Sequence, residues 1–228
     1  MVIKATKYLG GAISGEGVDY DLLAATCRPD LDEKLLWIAE TDLNTLNNRS
    51  EKLAFLINAY NISVLGLVVK LRAKHRGFLK KGLDSKWWFF QFFFVKKIVV
   101  GGKKMSLWKL ENKLIRKQFD EPKIHFALNC ASASCPPLRE GLYSAESIDE
   151  ELELATHNFI TAGGVILNRE VNELSLSPIF RWYERDFGGR EGIIAFIKNY
   201  LESDEITWLN ENQPKVIWQS YSWASNEN

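Results

Sequence analysis

The chain has few of the residues that most often carry chemistry: three cysteines and three histidines in 228 residues. Three cysteines are too few, and odd in number, for a disulfide framework, so a reducing compartment and a cytoplasmic location are expected. Net charge is absent too, because 29 basic and 29 acidic residues cancel. Without a basic excess or an acidic tail, no nucleic-acid partner is expected. The longest aromatic run, from Trp87 to Val95, stops at Lys96 and Lys97, far short of the ~20 residues of a spanning helix. No membrane span is therefore expected. Met1 to Leu9 holds Lys4 and Lys7 and no apolar core, which argues against a signal peptide. There is no phosphate-binding glycine loop of either common type. Gly101-Gly102 and Gly163-Gly164 read as turns, and no cofactor is implied.

What is present is globular: 46% of residues are hydrophobic and 25% charged, the balance of a packed domain. No repeat or Ser/Pro/Gly linker divides the chain. Residues 1–47 read as a helical lead-in and 48–228 as the main domain, together one compact unit. The strongest helix starts near Ser50 as cap and carries Leu53, Leu56, Ile57, Tyr60, Val64, Leu67, Val68 and Leu71 at three- and four-residue spacing. Gly77 is placed to end it. Being apolar on more than one face, this helix is expected at the centre. Hairpins are expected around Gly101-Gly102 and between 164–167 and 173–176. Ser106, Ser147 and Ser177-Pro178 are placed to open helices. Residues 123–129 read as a strand, and 216–221 as a final one. The fold class is α+β, a mostly helical single domain around a small, largely antiparallel sheet. The aromatic run reads as a buried strand or loop packed on the core. A patch from Trp87 to Phe94 facing lipid or a protein partner is the alternative.

Chemistry concentrates in one stretch, His125-Phe126-Ala127-Leu128-Asn129-Cys130-Ala131-Ser132-Ala133-Ser134-Cys135-Pro136-Pro137. An imidazole can convert a nearby thiol into a nucleophile, and small loop residues admit a substrate backbone. Cys130 is the candidate nucleophile, His125 the base and Glu111, polar on an apolar helix, the group that orients the ring. The amides of Ala131 and Ser132, with Asn129, are candidates to hold an oxyanion; Asn58 and Asn61 either bind substrate or close buried loops. Alternation along a strand would put His125 and Cys130 on opposite faces, so the chain must turn at Ala131-Ser132. Cys135, before Pro136, is expected at a helix N-cap as a secondary thiol. A Cys130–Cys135 bond is not expected, because two prolines stiffen the loop. Cys130, Cys135 and His125 lack a zinc spacing, and no metal is expected.

Further blocks accompany that stretch: Ala54-Phe55-Leu56-Ile57-Asn58-Ala59-Tyr60-Asn61, Ser106-Leu107 through Glu111 and Arg116, Leu176-Ser177-Pro178-Ile179-Phe180-Arg181-Trp182-Tyr183, Asp186-Phe187 and Tyr221-Ser222-Trp223. In this order they resemble the bacterial and plant family DUF547, a domain of unknown function, over residues 53–223. The resemblance implies a compact domain, with departures at Asn112 and Ser222, and it favours Cys130 over Cys135 as the nucleophile. Two function classes follow. One is a cysteine-dependent hydrolase or acyl transferase acting on a peptide-like bond in a peptide or small molecule, with a dithiol redox protein as a minor variant. The other is a non-catalytic interaction or scaffold module working through the aromatic patch.

Overall fold

The computed structural model describes residues 8–15, 17–75 and 82–228; the expected cap Gly77 and most of the first nine residues lie outside these. A short antiparallel pair, β1 (Ile13–Ser14) and β2 (Gly17–Val18), precedes helices α1 (Tyr20–Ala25) and α2 (Arg28–Glu40) in the lead-in, and α3 (Arg49–Lys74) follows. The cap of α3 is Asn48 rather than Ser50: its side chain accepts the Glu51 amide at 2.8 Å, satisfying one of the helix's open donors. By length and composition α3 is apolar enough to cross a membrane, yet 89% of that stretch is buried within the fold. It is the central helix that its all-round apolar pattern predicts.

Helix α4 (Lys86–Phe90) runs on as a π-helical segment, Gln91–Val95. The aromatic run is thus a helix and not the expected strand or loop, since an unbroken apolar run has no period to separate the two. It buries Phe92 and Phe93 and leaves Trp87 and Phe90 outside. The hairpin β3 (Ile98–Val100) and β4 (Lys103–Met105) is antiparallel. Ser106 caps α5 (Leu107–Lys109), which continues as a π-helical segment over Leu110–Ile115.

The expected strand at 123–129 is instead a 3-10 helix, Pro122–Phe126. Pro122 stands at its first turn and the Glu121 side chain accepts the Lys123 amide, a start signal that overrides the apolar run. Helix α6 (Ile148–Phe159) leads to strands β5 (Val165–Asn168) and β6 (Glu173–Leu176), an antiparallel pair. Helices α7 (Pro178–Trp182), α8 (Gly189–Lys198) and α9 (Ser203–Asn212) follow. Strand β7 (Lys215–Trp218) joins β6 in parallel, completing a three-stranded sheet among mostly helical elements.

Two apolar cores organise these parts. The first surrounds α3 and includes Leu23, Leu31 and Ile38 of the lead-in, so the lead-in shares the core of the following domain. The second packs Phe126, Phe159, Phe180, Phe187 and Ile197 with the three-stranded sheet. Ile124 belongs to the first core and Phe126 to the second, which places His125 at the seam.

Candidate functional site

At that seam lies a cavity of ≈ 490 Å³ whose walls include Glu111, Arg116, His125, Cys130, Cys135, Tyr183 and Tyr221 together with a rim of Phe and Trp rings. Its two chemically distinct parts are a sulfur loop and a charged cluster.

The sulfur loop is positioned by amide side chains. Asn61, on α3, donates to the Ala127 carbonyl at 2.9 Å and accepts the Asn129 amide at 2.9 Å. Asn129 in turn donates to the Pro136 carbonyl and accepts the Ala131 amide, each at 2.8 Å. Asn58 holds the amide and carbonyl of Tyr143 in the same reciprocal way. All three asparagines are buried, where an unmatched backbone group would be costly. Asn58 and Asn61 thus close loops, and the Ala131 amide, expected to receive an oxyanion, is engaged by Asn129. The expected turn is present: Ala131 has φ 65°, a left-handed conformation that costs a non-glycine residue roughly 1–2 kcal/mol. The chain's last residues clasp this loop from outside, with Ala133 donating to Ala224 and Asn226 to Ala131.

Contrary to expectation, Cys130 and Cys135 are joined, with Cα atoms 6.2 Å apart, within the range a disulfide requires. The prolines do not prevent this, because Asn129 folds Pro136 back toward Cys130. Nor does a helix follow Pro136: residues 136–140 are irregular, so Cys135 is not at an N-cap. Instead Cys135 Sγ accepts the Cys130 amide at 2.9 Å and the Tyr221 hydroxyl at 3.3 Å. Ser132 Oγ lies 3.0 Å from Cys130 Sγ and 2.8 Å from the Tyr221 hydroxyl. Burial pushes the Tyr221 phenol up to about 12, against the Ser132 hydrogen bond, so it remains a donor at neutral pH.

The charged cluster sits on helical turns. His125 Nε2 meets Asp186 Oδ2 at 2.7 Å, and Arg116 grips both Asp186 oxygens at 2.7 and 2.9 Å. The partner of His125 is therefore Asp186, not Glu111. Burial raises the Asp186 carboxyl, but hydrogen bonds from His125 and Arg116 outweigh it and hold the group well below the usual range. Burial also pushes His125 down, with Asp186 opposing. An ionised Asp186 only accepts, so Nε2 carries the hydrogen and Nδ1 is the ring's acceptor. Nδ1 has no hydrogen-bond partner among the described residues. The Tyr183 ring stacks on His125 at 3.7 Å, and its hydroxyl donates to Glu111 at 2.7 Å. Tyr60 donates to the other Glu111 oxygen at 3.2 Å. Burial raises Glu111, which Tyr183 and Arg116 partly offset.

Cys130, His125 and Glu111 thus line one cavity, but no hydrogen bond links His125 to either sulfur among the described residues. Asp186, Tyr183 and Tyr221 belong to the same arrangement without a site role in the sequence reading, although all three stand in the quoted blocks; the available signal is a charged or phenolic side chain within an aromatic motif. Cys130, Cys135 and His125 do not form a metal-ligand group, and among the described residues no three His, Cys, Asp or Glu side chains do. The family described as "Protein of unknown function, DUF547" matches residues 43–160, a little over half of the 228 residues, and the chain belongs to it. No curated protein and no solved structure matches the chain.

Proposed function

We propose that this DUF547 protein is a thiol–disulfide exchange enzyme whose working pair is Cys130 and Cys135, acting on an apolar or aromatic organic disulfide. The observation that carries this reading is the sulfur–sulfur pairing in the wall of an aromatic cavity. Structural need does not explain that bond. Closing a loop between cysteines five apart restrains the unfolded chain by only about 2 kcal/mol. Asn61, Asn129 and the C-terminal residues hold the same loop by hydrogen bonds.

In the reduced protein the Cys130 thiolate attacks one sulfur of the substrate disulfide. That S–S bond breaks, one substrate thiolate leaves and takes a proton, and a mixed disulfide remains on Cys130. Cys135 then attacks Cys130 Sγ, the second substrate thiol departs, and two electrons have passed from the pair to the substrate. A small dithiol reverses the sequence and restores the pair. Cys135 is assigned as the leaving sulfur in that reversal because the Cys130 amide and the Tyr221 hydroxyl stabilise its thiolate.

A second reading keeps Cys130 as the nucleophile of a hydrolase or acyl transferase with His125 as base. It is favoured by the Asp186 contact, which leaves His125 Nδ1 as an acceptor in the wall of the same cavity. One experiment separates the two. The reduced protein is offered a chromogenic aromatic disulfide with a dithiol as regenerant, and in parallel an aromatic thioester. Exchange predicts that, before any dithiol is added, each reduced chain releases two aryl thiols and that Cys135→Ser releases one and stops as the mixed disulfide, with no turnover of the thioester. Thioester turnover that survives Cys135→Ser and is lost in His125→Ala would replace exchange with hydrolysis.

A further inference from the structure

The zero net charge of the chain conceals a strong local imbalance. Residues 86–117 hold nine Lys or Arg and one acidic residue, Glu111, and Glu111 is buried. The same segment exposes large apolar side chains: Trp87 is 65% exposed, Phe90 52% and Trp108 40%. Two of these rings, Phe90 and Trp108, are linked through Phe94 into one surface. Phe90 stacks on Phe94 at 5.5 Å and Phe94 on Trp108 at 6.1 Å, while the Lys113 ammonium lies 5.6 Å from the Trp108 ring centre. Lys86 and Lys109 flank Trp87 and Trp108 in sequence and are exposed. Trp87 and Phe90 stand three apart on α4, so they project from neighbouring positions of its outer side.

The patch thus offers ammonium groups and apolar rings, and the one acid in its segment points inward. Such a surface complements a partner that supplies negative charge and apolar depth without demanding directional hydrogen bonds. An anionic lipid surface has these properties: headgroups attract lysines, while Trp and Phe enter the boundary with the acyl chains. We infer that the face built from α4, its π-helical extension and the start of α5 docks on an anionic bilayer surface. Phe94 and Trp108 also line the cavity, so docking would bring the cavity to the membrane, where apolar substrates concentrate. Docking does not depend on sulfur chemistry, so either can fail without the other.

The test is co-sedimentation of the full-length chain with phosphatidylcholine vesicles containing or lacking phosphatidylglycerol. The expected result is binding to the anionic vesicles, weakened by 0.5 M salt. Lys86→Glu/Lys109→Glu and, separately, Trp87→Ala/Phe90→Ala should each bind roughly tenfold more weakly. Neither pair lines the cavity, and all four side chains are exposed, so unchanged circular dichroism is expected. Equal binding to neutral and anionic vesicles, or undiminished binding by both variants, overturns the proposal. So does binding to polyglutamate with none to vesicles, which would reassign the face to an acidic polypeptide.

Discussion

The sulfur loop and the charged cluster share one cavity but are built in opposite ways. Cys130, Ser132 and Cys135 stand on irregular chain held by the side-chain amides of Asn61 and Asn129 and by the C-terminal residues. His125, Asp186, Arg116 and Glu111 stand on or beside helical turns, locked by an ion pair, ring stacking and two phenols. The sulfurs are partly exposed, whereas His125 and Glu111 are buried. Groups that exchange bonds with a partner need access and backbone freedom, whereas buried charges need fixed, matched neighbours. In the proposed function the loop accordingly makes and breaks bonds, and the helices position the groups around it.

The sharpest break in that comparison removes one sulfur. Cys130→Ser should lower dithiol-driven turnover of an aromatic disulfide at least about a thousandfold, because it removes the attacking sulfur, whereas Cys135→Ser should accumulate the Cys130 mixed disulfide, which only the external dithiol can then release. The melting temperature should fall by roughly 4–8 °C, the shift that the ~2 kcal/mol loop term gives a domain of this size. Retained turnover in Cys130→Ser, or no trapped mixed disulfide in Cys135→Ser, would reject the pair as the working group.

Next in size is the loss of the loop's scaffold. Asn129→Ala strands the Pro136 carbonyl and the Ala131 amide and should cost about 2–4 kcal/mol in urea unfolding. A smaller cost would mean that the disulfide, not the asparagine, shapes the loop.

On the charged side, Asp186→Asn keeps the shape and removes the charge gripped by Arg116. A loss of about 2 kcal/mol in stability is expected, with disulfide turnover changed less than about threefold. A collapse of turnover with stability intact would move His125 and Asp186 into the chemistry. Tyr221→Phe removes the hydroxyl donated to Cys135 Sγ and should slow exchange by about fivefold, the worth of a hydrogen bond of ~1 kcal/mol.

The smallest effect separates two buried acids and bases by sign. His125 is depressed from 6.5, so below pH 6.5 the unfolded chain takes a proton that the folded one refuses, and stability falls with pH until the folded value is passed. Glu111 is raised from 4.5, so its contribution is full below 4.5 and fades as pH rises through its folded value. Across pH 7 to 5 the two oppose each other. In urea midpoints, His125→Asn should flatten the loss on acidification and Glu111→Gln should steepen it. Parallel curves for all three proteins would show that neither shift is felt by the fold.

Much of the fold is legible locally. Ser106 before Leu107, Ser177-Pro178 and the paired glycines at 101–102 act within a few residues, so caps and the hairpin follow from short-range rules. The apolar periodicity of 53–71 exceeds what one face needs, and α3 is accordingly central. Residues 122–126 failed because an apolar run has no decisive period and the Glu121–Pro122 start competes with it. At the site, the residue types clustered from 125 to 135 exposed the sulfur loop; a turn at Ala131 is present, but the strand parity that called for it is not, because residues 122–126 form a 3-10 helix. The partner of His125 did not follow, since Asp186 lies 61 positions away and only the packing of α7 and the following turn brings it in.

Residue pattern alone gives the mostly helical class, the central helix and the stretch that holds the paired cysteines, because periodicity, caps and residue type act over short distances. Which groups meet is a matter of three-dimensional packing. Asn129 bends the loop until two sulfurs join, Asp186 rather than Glu111 takes His125, and Tyr221 arrives 86 residues after Cys135. Pairings of that kind depend on how two cores pack against each other at a seam, and a linear pattern of residues does not encode the register of that packing.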